Sequence, residues 1–92
     1  MRPAAVADLR EAYAWYESQV PGLGESFLAE VRSKLDQIAA NPLQFPMVRA
    51  HTRRAIVRRF PYGIFFVAGD LRIGILAVMH HSRAPQRWKA RF

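Results

Sequence analysis

Three apolar runs separated by two turn signals lie between residues 53 and 88, and this pattern constrains the fold more than any other feature of the chain. The runs are rich in Val, Ile and Phe, which favour β-strands. The runs cover residues 54–60, 64–68 and 72–80, and the turn signals are Pro61-Tyr62-Gly63 and Gly69-Asp70. The middle run is apolar on both faces, as expected of a central strand. The pattern therefore predicts an antiparallel sheet with three evident strands.

Side chains alternate between the two faces of a strand, so the sequence also predicts which residues share a face. In the last run, alternation separates two sets, namely Ile73, Ile75, Ala77 and Met79 on one face and Gly74, Leu76, Val78 and His80 on the other. In the first run it points Arg58 and Arg59 in opposite directions. We expect one of these two arginines to pair with an acidic residue of the helices and the other to face a partner.

The first half of the chain has helical periodicity. Apolar residues recur on one helical face over residues 8–19 and again over residues 25–40. The breaker Pro21-Gly22-Leu23-Gly24 ends the first helix, and Asn41-Pro42 ends the second. Asp8 is expected at or near the N-cap of the first helix.

The segment after the second helix, residues 43–52, is predicted to be a loop because of its proline content. Two antiparallel helices that each carry one apolar face need a common surface to cover, and the sheet provides it. We therefore predict an α+β fold in which an N-terminal antiparallel helical hairpin packs on a C-terminal antiparallel sheet. A chain of 92 residues forms a single domain, residues 1–92.

The composition favours a soluble cytoplasmic protein. The chain has no cysteine, and therefore no disulfide or thiolate metal site. No apolar run reaches the roughly 20 residues that a membrane helix needs. Charged residues near the N-terminus stand where a signal peptide would have an apolar block.

The formal charge of +7 is concentrated in the second half of the chain. Residues 1–46 carry four basic and six acidic residues, whereas residues 47–92 carry nine Arg and Lys89 against Asp70 alone. A basic half of this kind is typical of proteins that bind a polyanion or an acidic partner. The alternative is that the arginines only solvate the surface, although such surfaces usually mix charges of both signs.

Several motifs in a fixed order resemble toxins of the RelE/ParE superfamily. They are A-x-x-D-L-x-E-A-x-x-W-Y-E at residues 5–17, P-G-L-G-E-x-F-L-x-E-V at 21–31, Asn41-Pro42 with Phe45-Pro46, R-R-F-P-Y-G-I-F-F at 58–66 and A-V-x-H-x-x-R-x-P-x-x-W at 77–88. The resemblance covers nearly the whole chain and favours the ParE-like branch. It implies a bacterial, plasmid-stabilisation type toxin of a type II toxin–antitoxin pair. It also implies a small cognate antitoxin that wraps the toxin and often binds operator DNA.

Two departures from the superfamily pattern bear on structure and chemistry. Members usually begin with a strand before the first helix, whereas this chain starts at Met1-Arg2-Pro3, where that strand would be ending. Either that strand is missing or the sheet has three strands, and an uncovered sheet edge would invite a partner strand. Ribosome-dependent nucleases that resemble RelE carry an Arg directly after the Tyr of the central strand, where this chain has Gly63 after Tyr62.

RNA cleavage through the 2′-hydroxyl would need an acid, a base and cations for the phosphorane. Proton-transfer candidates are His51, His80, His81 and Tyr62, and phosphate-binding candidates are Arg58, Arg59 and Arg83. Adjacent His80 and His81 would lie on opposite faces of a strand, so at most one can point into a given site and the pair should not chelate a metal. The catalytic candidates are therefore Tyr62, His80, His81 and Arg83. The alternative for either histidine is a hydrogen bond to backbone at a strand end.

A protein that acts by binding would instead use the basic residues in the second half of the chain. The predicted contact residues for a target or an antitoxin are Arg53, Arg54, Arg58, Arg59, Arg83, Arg87 and Trp88. Arg83 beside Trp88 could stack on a base or bind a phosphate, or Trp88 could cover the core while Arg83 pairs with a carboxylate. No metal and no cofactor is expected.

Three functions remain open at this point. The resemblance implies either inhibition of DNA gyrase or cleavage of mRNA on the ribosome. The first function is therefore a non-enzymatic growth inhibitor that binds a target such as DNA gyrase, which Gly63 favours. The second is a metal-independent endoribonuclease that acts on ribosome-bound mRNA. The third is a plain nucleic-acid-binding module, which would explain the charge but not the family motifs.

Overall fold

The computed structural model describes residues 1–82, which form two helices followed by a four-stranded antiparallel sheet. Helix α1 spans Pro3–Gln19 and helix α2 spans Leu23–Ala40, and a short 3₁₀ helix, Pro42–Gln44, follows. The strands are β1 Met47–Arg49, β2 Thr52–Ile56, β3 Tyr62–Ala68 and β4 Ile73–His80, in the spatial order β1-β2-β3-β4. The α+β fold and the helical hairpin are confirmed, and β3 lies inside the sheet as predicted.

Helix α1 begins five residues before the predicted start, so the placement of Asp8 at the N-cap is wrong. The N-cap residue is Arg2, and Pro3 occupies the first helical turn, where its missing N–H costs nothing. Asp8 lies within the helix, and its carboxylate accepts a hydrogen bond of 2.9 Å from the Val78 N–H of β4. Asp8 therefore ties α1 to the sheet.

Helix α2 has no side-chain cap of its own, and Glu17 of α1 supplies one. The Glu17 carboxylate accepts hydrogen bonds from the N–H groups of Gly22 and Gly24, both at 2.9 Å. A carboxylate at a helix N-terminus satisfies otherwise unpaired N–H groups and complements the helix dipole. The interhelical turn is thereby fixed by a residue five positions before it.

The prediction that residues 43–52 form only a loop is wrong, because β1 lies inside this segment. Strand β1 is short and pairs with β2 through Met47↔Arg53 and Arg49↔Thr52, with an irregularity between the two pairs. Pro46 stands just outside it and uses only its carbonyl, which accepts the Arg54 N–H at 3.1 Å. A short, irregular edge strand is a usual way to end a sheet.

The first predicted strand, residues 54–60, is also shifted: β2 ends at Ile56, and residues 57–61 form a loop. Arg59 adopts a left-handed backbone conformation with φ 71°, which a strand cannot accommodate. The loop closes through the Val57 N–H, which donates to the Tyr62 carbonyl at 2.8 Å. Arg58 and Arg59 therefore lie on this loop and not on a strand.

A β-bulge at Leu76 makes the predicted faces of β4 wrong. Phe65 pairs with Ala77 and Phe66 pairs with Ile75, so Leu76 has no partner residue on β3. The extra residue reverses the alternation. As a result, Ile75 and Val78 both pack toward the helices, while Ala77 and Met79 pack with Phe65 in a separate cluster.

The main core lies between the helices and one face of the sheet. Its largest fully buried side chains are Phe27, Ile38, Val57, Ile64 and Phe66. Tyr16 joins this core through ring contacts with Phe27 and Phe60 at centroid distances of 5.2 and 5.0 Å. Trp15, its neighbour, remains 57% exposed.

Strand β4 is an edge strand, and the start of α1 lies along its outer side. The Arg2 N–H donates to the Ile75 carbonyl at 3.0 Å, and the Val78 N–H is taken by Asp8. Among residues 1–82, no strand pairs with this side of β4.

Candidate functional site

Two of the catalytic candidates, Tyr62 and His80, meet in one cleft between α1 and the end of β4. They are register partners on β3 and β4, and their ring centroids are 5.2 Å apart in an edge-on arrangement. The cleft has a volume of about 310 Å³. The described residues that line it are Asp8, Glu11, Ala12, Trp15, Tyr62, Val78, Met79, His80 and Ser82.

The residues that α1 contributes to this cleft were not predicted as site residues. Asp8, Glu11 and Trp15 follow the three- and four-residue spacing of one helical stripe. That spacing, which brings two carboxylates and an indole to one side of the helix, was the available sequence signal. The interpretation of Asp8 as an N-cap residue concealed this signal.

The hydrogen bonding of His80 restricts what its ring can do. Its Nδ1 accepts the backbone N–H of Ser82 at 2.9 Å, and the Ser82 Oγ lies 2.7 Å from the same nitrogen. A ring nitrogen that accepts an N–H carries no proton, so the proton of the neutral imidazole is on Nε2. His80 is therefore a strand-end histidine bound to backbone, the alternative that the sequence left open.

The other histidines do not join His80. His81 is exposed and absent from the cleft lining, and its N–H donates to the Pro61 carbonyl at 2.7 Å. His51 lies on the β1–β2 turn, next to Thr52, which pairs with Val67. Val67 is five residues along β3 from Tyr62, which corresponds to about 16 Å of strand. The three histidines therefore do not form one acid–base site.

The predicted contact arginines point to different parts of the molecule. Arg53 donates to the Phe45 carbonyl at 2.6 Å and holds the loop after the 3₁₀ helix. Arg59 forms an ion pair of 3.6 Å with Glu30 of α2, which identifies it as the arginine that pairs with the helices. Arg58 is exposed and forms no ion pair within residues 1–82.

Arg54 lies across Gly63. A Cβ added to Gly63 would meet the Arg54 Cγ and Cδ at 3.1 Å. Gly63 is buried, so the position where RelE-like nucleases carry an Arg is covered here by the aliphatic part of a neighbouring arginine. The remaining predicted site residues, Arg83, Arg87 and Trp88, lie outside the described residues.

A second surface feature is an apolar groove between α1 and α2, of about 290 Å³. Its lining includes Val6, Leu9 and Leu28, with Tyr13 and Glu25 along one side. The Tyr13 hydroxyl donates to Glu25 Oε1 at 3.1 Å, and this hydrogen bond raises the pKa of Tyr13 above its usual range. The groove is thus a mainly apolar surface feature to which both helices contribute.

Within residues 1–82, no group of three or more His, Asp or Glu side chains is placed to hold a metal ion. Over the same residues, no helix has the length and hydrophobicity that would let it cross a membrane.

Comparison with known proteins supports the resemblance seen in the motifs. The family described as ParE toxin of type II toxin-antitoxin system, parDE, matches residues 1–85. The fold is similar to that of a solved structure titled Chromosomal ParDE TA system from P. aeruginosa, with a TM-score of 0.76 at 19% identity. That match covers 86% of this chain and 89% of the other. No curated protein matches the chain.

An α+β domain with a helical hairpin on an antiparallel sheet is thus the fold of a type II toxin, and the family match extends over most of the chain. The chain belongs to the ParE toxin family of type II toxin–antitoxin systems.

Proposed function

We propose that this toxin arrests growth by binding DNA gyrase without cleaving RNA, and that a cognate antitoxin neutralises it. The observation that carries the first part is Gly63. It stands where RelE-like nucleases have an arginine, and the stem of Arg54 occupies the space above it. An arginine side chain at position 63 would have to displace the Arg54 stem.

The cleft around His80 gives a second reason to favour binding. Phosphodiester cleavage needs positive charge around the phosphorane. Among residues 1–82, the side chains that line the cleft include no arginine or lysine. Arg53 and Arg59 are engaged elsewhere, with a backbone carbonyl and with Glu30.

The experiment compares two activities of the purified protein, gyrase supercoiling and cleavage of mRNA on programmed ribosomes. We expect inhibition of supercoiling and intact message. The variant His80→Phe keeps the ring contact with Tyr62 and removes the imidazole, so we expect it to inhibit gyrase as the parent does. Cleavage of the message, abolished in His80→Phe, would overturn the proposal.

The exposed arginine Arg58 provides a test of the binding surface. Arg58→Gln should weaken gyrase inhibition, because removal of a contact cation commonly costs about 1–3 kcal/mol, or roughly tenfold in affinity. Arg32→Gln is the matched control, since Arg32 is also exposed, lies on α2, and its loss changes the net charge by the same amount. Equal effects of the two variants would indicate a response to overall charge and would remove Arg58 from the contact surface.

We propose that the antitoxin binds as an acidic amphipathic segment. Its apolar side would lie in the groove of Val6, Leu9 and Leu28, and its acidic residues would face the basic half of the toxin. Operator DNA would be bound only through the toxin–antitoxin complex. Co-expression of a neighbouring small antitoxin should restore growth, and Leu9→Glu should reduce that rescue. A neighbouring antitoxin that neither binds nor rescues would contradict this part of the proposal.

A metal-independent endoribonuclease is the second candidate, and the contact of Tyr62 with His80 in one cleft is the observation that favours it. Both groups can transfer protons. The mRNA cleavage assay decides between the two candidates. A plain nucleic-acid-binding module would not arrest growth on expression, so a plate assay for toxicity tests that third possibility.

A further inference from the structure

The loop between β2 and β3, residues 57–61, is anchored in the fold while its middle faces solvent. Backbone hydrogen bonds of 2.7 and 2.8 Å close the loop and tie it to the end of β4. Phe60 is buried in the main core, with its ring centroid 5.3 Å from that of Phe27. Arg58 and Arg59 lie exposed between these anchors. The loop is therefore a fixed platform that presents two adjacent arginines.

The backbone of this loop presents three consecutive donors. Among residues 1–82, no acceptor takes the N–H of Arg58, Arg59 or Phe60. Arg59 has φ 71°, a left-handed conformation that a residue other than glycine rarely adopts, whereas Arg58 does not have a positive φ. A left-handed residue in a turn brings successive N–H groups to one side of the chain, where they form an anion-binding concavity called a nest. The unusual conformation of Arg59 therefore has a consequence for binding.

The side chains around these donors are cationic. No Asp or Glu occurs in the sequence between Arg53 and Gly69. The side chain of Arg59 is 63% exposed, and its contact of 3.6 Å with Glu30 is a surface ion pair. Such pairs contribute little to stability, so a competing anion can replace the Glu30 carboxylate. Together with the exposed Arg58, the loop offers two guanidinium groups beside its N–H donors.

We infer that this loop binds a phosphodiester group of a nucleic-acid backbone. Arginine side chains and backbone N–H groups are the usual donors to such phosphates. The donors lie on an exposed loop and not in an enclosed pocket, which suits a phosphate carried on a polymer, because small free ligands need enclosure. The net charge of +7 adds a long-range attraction for the same polymer.

A phosphate contact carries no sequence information, so selection of an operator still belongs to the complex with the antitoxin. The inference goes beyond gyrase inhibition, although both use Arg58. Binding is measured without gyrase, so the outcome of the supercoiling assay does not decide it.

The test titrates the purified full chain with a short DNA duplex, an RNA duplex of the same sequence and poly-L-glutamate, using fluorescence anisotropy and amide chemical shifts. We expect binding of the nucleic acids, with shifts at the amides of Arg58, Arg59 and Phe60. The duplex that binds more tightly identifies the source of the phosphodiester. Poly-L-glutamate that binds as tightly with the same shifts, or an absence of shifts at these amides with both duplexes, would overturn the assignment.

A charge variant locates the contact. Arg58→Gln should weaken duplex binding by roughly three- to tenfold, as expected for a lost charge-assisted hydrogen bond. It should also reduce the slope of log affinity against log salt by about one, the value for one phosphate contact. Arg32→Gln removes the same charge from α2 and should change both quantities much less. Equal losses in the two variants would show a response to overall charge and would refute the site.

A matched pair at position 59 tests the backbone donors separately from the guanidinium. Arg59→Asn and Arg59→Val both remove the charge, but asparagine tolerates the left-handed conformation and β-branched valine does not. We therefore expect Arg59→Asn to bind the duplex more tightly than Arg59→Val, with the amide shifts at Arg58 and Phe60 retained only in Arg59→Asn. Circular dichroism checks that both variants fold. Loss of these shifts in a folded Arg59→Asn, or equal binding by the two variants, would refute the role of the backbone donors.

Discussion

The close approach of the two helices at Gly24 leads to a prediction in which two known effects oppose each other. Replacing a glycine inside a helix by alanine normally stabilises the protein by about 1 kcal/mol. At Gly24, however, the new Cβ would lie 2.8 Å from both Glu17 Oε1 and Tyr13 Cδ2, and 2.9 Å from Tyr13 Cε2. These atoms would have to retreat by roughly 0.6 Å to reach ordinary contact.

Neither Glu17 nor Tyr13 can move away from the new Cβ without weakening a hydrogen bond. The Glu17 carboxylate holds the N–H groups of Gly22 and Gly24, and the Tyr13 hydroxyl is bound to Glu25. Overpacking of this kind typically costs about 1–3 kcal/mol, and a hydrogen bond to a carboxylate that is weakened but not lost forfeits part of its usual contribution, on the order of 1 kcal/mol. Set against the gain of about 1 kcal/mol in helix propensity, we expect Gly24→Ala to destabilise the fold by about 1–3 kcal/mol.

The assay is urea unfolding monitored by far-UV circular dichroism. The urea midpoint should fall by about 1 M if the free energy of unfolding depends on urea with a slope of about 1–3 kcal/mol/M. Ala29→Gly is the matched control, because Ala29 is exposed in the same helix and reports the propensity term alone. It should cost about 1 kcal/mol. If Gly24→Ala instead stabilised the protein by the amount that Ala29→Gly costs, the steric reasoning would be refuted.

Two further predictions concern the same end of the molecule. Glu17→Ala removes the cap of α2 and should destabilise the fold by about 1–2 kcal/mol, whereas Asp36→Ala, an exposed carboxylate of α2, should change it by less than about 0.5 kcal/mol in the same unfolding assay. The hydrogen bond to Glu25 raises the pKa of Tyr13, so the folded state holds the phenol proton more tightly than the unfolded state. Stability should therefore be complete below about pH 10 and fall as the pH rises above it, and Glu25→Gln should make the fall shallower in urea midpoints measured across this range.

The sequence predicted the parts of the fold that depend on repeating patterns. Helical periodicity located α1 and α2, and the Pro-Gly and Asn-Pro breakers located their ends, because these signals are local to each element. Strand β1 was missed since three residues carry no usable period and Pro46 favoured a loop. In the structure Pro46 contributes only a carbonyl, which a proline can do as well as any residue.

The faces of β4 could not be predicted from alternation, because the bulge at Leu76 inserts one residue that leaves no mark in the sequence. The roles of Asp8 and Glu17 were hidden for a different reason. Each stabilises an element other than its own, β4 in one case and α2 in the other. Contacts between elements distant in sequence have no local signature, so candidate sites built from them appear only once the chain is folded.

The basic half of the chain requires a similar distinction between charge and contact surface. A net count treats every arginine alike, yet Arg53 satisfies a backbone carbonyl, Arg54 covers Gly63 and Arg59 pairs with Glu30. Their charges still contribute to the field around the molecule, which attracts an acidic partner over a distance of about one Debye length, about 10 Å at 0.1 M salt. Direct contacts instead require accessible guanidinium groups that are not already held, and Arg58 meets this condition among the predicted contact residues in 1–82. All of these arginines therefore contribute to long-range attraction. Only an accessible arginine such as Arg58 can make the direct contacts that distinguish one partner from another.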